Sequence, residues 1–155
     1  MALVRVNAVG LKKTKARLRD IKARSKQAIG RTSPAGIRHL RDTIDRFFTR
    51  QGGPDGPWQP LSDYTIAQKG HARILEDTHR LEESLTRTTP DSIIRVTDSS
   101  LDFGTRVPYA IEHERGDHVP RRGFMPYGEQ VSTFFARRSA EYILRYPPGS
   151  ISPFR

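Results

Sequence analysis

Apolar residues change their spacing several times along this chain, and each change predicts a new element. Residues 2–8, "ALVRVNA", alternate, with Val4 and Val6 on one face, and predict a short strand. From 10 to 29 the spacing becomes helical. Leu11, Leu18, Ile21 and Ile29 form a narrow apolar seam, and cations cover the rest of the surface. Gly30 followed by Ser33-Pro34 predicts a break, with Ser33 as N-cap and Pro34 at the first position of a new helix. That second helix spans about 35–50, where Ile37, Leu40, Ile44, Phe47 and Phe48 recur at three- and four-residue steps and predict a core face.

"QGGPDGPWQP" at 51–60 is punctuated throughout by Gly and Pro and predicts irregular structure. "SDYTIAQKG" reads as a short helical turn capped by Ser62. Residues 81–88 fit a helix by their charges or a strand by their threonines, and the strand is preferred. "SIIRVT" at 92–97 predicts a strand, 98–100 a turn and "LDFG" at 101–104 the returning strand. Tyr109 to Glu112 reads as a short extended or helical piece, and "HVPRRGFMPYGE" as loop. Val131, Phe134, Phe135, Tyr142 and Ile143 share one face of a helix over 129–144, and the Pro-rich residues 145–155 predict an extended tail. The fold class is α+β: N-terminal helices packed on a small antiparallel sheet, with a C-terminal helix and long loops, in a single domain over 1–155.

Charge changes this picture in one respect. Net charge is +10, yet residues 1–50 hold 14 Lys and Arg against 3 Asp and Glu, and the remainder holds 13 against 14. The basicity therefore belongs to the N-terminal helical segment, as expected of an element facing a partner. Lys12, Lys13, Lys15, Arg17, Arg19, Lys22, Arg24 and Lys26 are its candidate contacts to an acidic protein surface or, non-specifically, to DNA. Aromatic interleaving and base-reading motifs are lacking, so sequence-specific recognition is not expected. Hydrophobic content of 35 % and a mean hydropathy of −0.65 suggest that some segments pack against partners. No run of residues is apolar enough to span a bilayer, and no secretory signal is expected at the N-terminus. Absence of cysteine excludes disulfides, thiolate metal sites and Cys nucleophiles, and fits assembly in a reducing cytoplasm.

Candidate chemistry is thin. "IEHERGDH" at 111–118 approaches the H-E-x-x-H motif of zinc peptidases, but His113 and His118 are five apart rather than four. Gly116 and Asp117 between them, and Pro120 after them, favour a strand end running into a polar loop. Ser62, Ser84 and Ser139 lack a nucleophile-elbow context, and "GGPDGP" lacks the Lys-Ser/Thr of a phosphate loop. Glu82 with Glu83, and Glu112 with Glu114, read as surface charge rather than paired catalytic acids. His39, His71 and His79 have no matching ligands at metal spacing. We therefore expect no enzyme, no cofactor, no metal and no small-molecule substrate, but a binding or structural protein.

Four short motifs occur in order: "PWQPLSDYTIAQKG" at 57–70, "ILEDTHRLEESL" at 74–85, "FGTRVPYAIEHERG" at 103–116 and "VPRRGFMPYG" at 119–128. Together they resemble the phage virion morphogenesis family, the Mu-like tail-completion or head–tail joining proteins. The resemblance covers roughly residues 47–128, with 51–128 as the family-like sheet and loop core. His79 stands where that family usually has Gly, and Gly123 and Met125 are further departures. The resemblance implies a virion protein of the neck or tail, assembled in the host cytoplasm as a ring of identical subunits that joins the DNA-filled head to the tail. Its implied partners are itself and the adjacent connector and tail proteins, with no membrane; non-specific DNA binding through the basic helix is the alternative. It casts Trp58, Tyr64, Tyr109, His113, Arg121, Arg122 and Phe124 as subunit-interface or loop-anchoring residues. In particular, "YAIEHERG" is expected to hold a sheet edge, with His113 hydrogen-bonded locally.

Overall fold

One uninterrupted helix, α1 (Val9–Arg50, 42 residues), runs straight through the expected break and is about 63 Å long at helical rise. The computed structural model describes residues 9–145, with side chains from Thr14 onward. After α1 come β1 (Gly52–Gly53), β2 (Gly56–Pro57), α2 (Asp63–Lys69), α3 (Arg80–Thr86), β3 (Ser92–Val96), β4 (Leu101–Thr105), α4 (Ala110–Arg115) and α5 (Glu129–Arg145). The expected strand over 2–8 and the tail beyond α5 lie outside the described residues.

Packing overrides the local stop signal within α1. Pro34 removes the N–H that would serve the Gly30 carbonyl. Thr32 and Ser33 are nevertheless wholly buried, and their hydroxyls donate to Ala28 O at 2.8 Å and Ile29 O at 2.7 Å. Ser33 is thus an interior residue bonding back one turn, not an N-cap. Gly30 is there for a close approach. Its N–H donates to Asp98 O at 3.1 Å, and a Cβ at this position would come within 2.8 Å of Thr97 O. The turn between β3 and β4 therefore seats on the middle of α1.

The strand pair is as expected: β3 and β4 are antiparallel, with Ile94 facing Phe103. Residues 51–60, expected to be irregular, contain a second antiparallel pair in which Gly52 faces Pro57 and Gly53 faces Gly56. Residues 80–86 are helix, not strand. Leu81, Ser84 and Leu85 are buried at helical spacing, and the threonine that suggested a strand turns inward, Thr86 Oγ1 donating to Glu82 O at 2.9 Å. Ser62 does cap α2, accepting from Thr65 N.

Ile44, Phe47 and Phe48 of α1 meet Leu81 and Leu85 of α3, together with Trp58, Ile74, Val107 and Phe124, in one apolar cluster. α5 lies antiparallel along α1. Phe134 stacks on His39 at 4.0 Å, a Cβ at Gly36 would overlap the Phe135 ring, and Arg24 donates to Ile143 O near the far end. Leu18, expected in the apolar seam, is 59 % exposed.

Candidate functional site

The two long loops close on each other beside the end of α1. Trp58, 6 % exposed and edge-on to Phe48 at 5.4 Å, donates from Nε1 to Gly123 O at 2.9 Å. Gly53 lies against the same carbonyl so closely that a Cβ would have no room. From the other side, Glu114 Oε2 accepts from Phe124 N at 2.9 Å and Met125 N at 3.2 Å. Arg121 donates to Glu114 O at 3.1 Å and pairs with Asp55 at 2.8 Å, and Tyr127 also donates to Asp55. The result is a clasp that ties 52–58 to 121–127 through backbone carbonyls and one buried indole.

This clasp explains the histidine-rich stretch. Residues 110–115 form α4, not a sheet edge, and Gly116 ends it in the left-handed conformation at φ 81° that a glycine C-cap adopts. Glu114 is a loop brace, a role that sequence reading missed because its partners are backbone N–H groups ten residues away. His113 is half-buried. Its carbonyl accepts from Arg122 N at 2.8 Å and its backbone N–H donates to Tyr109 O at 3.4 Å, while its Nδ1 has no partner among the described residues.

The other anchors divide. Phe124 is buried in the core and Arg122 is 6 % exposed, whereas Tyr64 is 73 % exposed and accepts from Gln68 within α2. Tyr109, Arg122 and His113 line a groove of about 950 Å³, whose opposite wall is Gln59 to Ser62 with Lys69 and Leu75. Of the basic set, Lys12 and Lys13 lie within α1; Lys15, Arg17, Arg19, Lys22 and Lys26 are exposed along it. Arg24 instead turns inward, to Asp20 and Ile143 O.

His79 is less isolated than its sequence context suggests. Its Nδ1 is 2.9 Å from Glu82 Oε2, and ligand atoms of Glu76, His79 and Glu82 lie within 4.8 Å of one another. Glu76, however, is already engaged by Arg73 and by Gln51 Nε2 at 2.8 Å. At φ 57°, His79 is one of three non-glycine residues with positive φ among the described residues, which accounts for the usual glycine at this point of the family motif.

Burial, and then the Arg122 charge, holds the His113 pKa below its ordinary 6.5. Burial does the same for His39, with Arg46 the next cause. The unfolded chain therefore binds protons near pH 6.5 that the folded chain refuses, so stability must fall as pH drops below that value. Exposed His79, raised by its bond to Glu82, has the opposite sign: its stabilisation is present at low pH and lost as pH rises. We expect the urea midpoint to fall between about pH 7.5 and 5.5, and the fall to be smaller in His113→Asn. Equal slopes in the two proteins would show that His113 does not contribute.

In this α+β scaffold the Trp58 indole and the Glu114 carboxylate hold two surface loops in place. Its sequence matches the phage virion morphogenesis family over residues 11–141, and the chain belongs to that family. It is a phage virion structural protein. The match extends past the motifs at 47–128 into both long helices. Comparison with curated proteins and with solved structures returns no match. No helix of the described residues is long and apolar enough to cross a membrane.

Proposed function

We propose that this protein completes the neck or tail of the virion, as a ring of identical subunits that joins the DNA-filled head to the tail. The observation that carries this reading is the clasp: a small protein fixes its long loops through Trp58, Gly53 and Glu114, and so offers rigid loop surface to neighbours. Low apolar content suits a subunit that buries further surface on assembly. The exposed cations of α1 then meet acidic protein surface, since a channel that grips phosphates would hinder passage of DNA. Deleting the gene in a phage or prophage and viewing lysates by negative stain tests the reading. Filled heads and separate, unjoined tails are expected; intact infectious particles would contradict it.

A second reading, non-specific DNA contact, draws on Lys15, Arg17, Arg19, Lys22 and Lys26 lying exposed on one arm of α1. It requires that charge reversal at Lys12, Lys13, Lys15 and Arg19 abolish a salt-sensitive DNA shift.

A further inference from the structure

Arg122 is a recessed cation with no counter-ion among the described residues, and the end of its guanidinium is open to the groove it lines. It is 6 % exposed, its Nε donates to Gln59 O at 3.2 Å, and its two terminal nitrogens have no partner among the described residues. Other cations around it are satisfied or outward. Arg80 pairs bidentately with Asp91 at 2.7 and 3.0 Å, and Arg121 pairs with Asp55. Burial pushes the Arg122 pKa down. A guanidinium fixed by its Nε, with both terminal nitrogens left open, is set to take a carboxylate from outside in a forked pair. The side chain lines the groove of about 950 Å³ between α2 and α4, the direction from which a partner can come.

We propose that this groove receives an extended segment of a neighbouring virion protein, which places a carboxylate on the Arg122 guanidinium. The chemistry of the walls selects a peptide over a nucleic acid. Pro60, Leu61, Leu75 and Pro120 give apolar sides, and Tyr109 an aromatic one. Asp77 also lines the groove and would repel a polyanion running along it, whereas a single carboxylate needs only the one guanidinium. Exposed lysines and arginines grip a DNA backbone; this arginine is recessed behind the surface. The proposal rests on the assembly reading above and supplies the chemistry of its partner.

The test uses the full chain in two measurements. NMR titration compares the peptide Ac-Pro-Leu-Glu-Leu-Pro-NH2 with its Gln counterpart and with inorganic phosphate. The Glu peptide is expected to shift resonances of Lys69, Tyr109 and His113, with affinity weakened about ten-fold or more by the Gln replacement or by Arg122→Lys, which keeps charge but loses the bidentate fork. Equal response to the Glu and Gln peptides, no response to either, or saturation by phosphate alone would overturn the proposal. The second measurement is thermal: Arg122→Met gives up only the bond to Gln59 O and should lower the Tm by no more than a few degrees. A large fall in Tm would mark Arg122 as a structural cation and contradict the proposal. Failure here with heads and tails still unjoined in the deletion phage would leave the assembly reading standing; normal particles would remove that reading whatever the groove binds.

Discussion

Trp58→Ala is expected to lower the free energy of unfolding by about 3–5 kcal/mol, the range for emptying a large aromatic site in a packed core. The indole is packed against Phe48, and its N–H satisfies the Gly123 carbonyl, so the substitution leaves both a cavity and an orphaned acceptor. Trp58→Phe separates the two effects. It refills most of the volume but cannot donate, and should lose about 1–3 kcal/mol, the penalty for an unsatisfied buried carbonyl plus residual misfit. Trp58 is the chain's single tryptophan, so urea melts should be followed by far-ultraviolet circular dichroism rather than fluorescence. A loss under about 1 kcal/mol for the alanine variant would mean the loops are held by something other than the indole.

Gly53→Ala should have an effect out of proportion to one methyl group. A Cβ at Gly53 would stand against the Gly123 carbonyl, which is backbone and itself pinned by Trp58. Either β1 or the 121–127 loop must move, and with it the bonds from Glu114 to Phe124 and Met125. We expect about 2–3 kcal/mol of destabilisation, typical of overpacking at a site that cannot relax. Gly104→Ala is the matched control, because a Cβ there meets nothing within 4 Å. Similar unfolding midpoints for the two variants would contradict the close approach. A Trp58→Phe/Gly53→Ala double mutant should lose less than the sum of the single losses, since both act on the same carbonyl.

Periodicity was a good guide wherever burial alone decides structure. The core face of α1 from Leu40 to Phe48, the β3–β4 hairpin and the helix carrying Phe134, Phe135 and Tyr142 were all legible as stripes or alternations. Where the sequence misled, a tertiary contact had outvoted a local signal. Gly30 and Pro34 look like a helix end, but the β3–β4 turn seats on Gly30, and the hydroxyls of Thr32 and Ser33 bond back within the helix. Residues 81–86 carry strand-like composition, yet Leu81, Ser84 and Leu85 must reach the core from one helical face.

The site was legible only in part, and for a physical reason. Trp58 and Phe124 announce themselves as large apolar residues inside polar loops. Glu114, Gly53 and Arg122 matter through backbone atoms distant in sequence, which no local pattern encodes. Arg122 illustrates the difference most clearly. In the sequence it is one of an Arg-Arg pair, but in the fold Arg121 turns out to an exposed carboxylate while Arg122 turns in to none.

The most direct test of the central claim is quantitative mass spectrometry of gradient-purified particles, with antibody–gold labelling of the same particles. A fixed number of copies per virion is expected, with label at the head–tail junction. Absence from purified particles, with the protein left in the soluble fraction of the lysate, would contradict it.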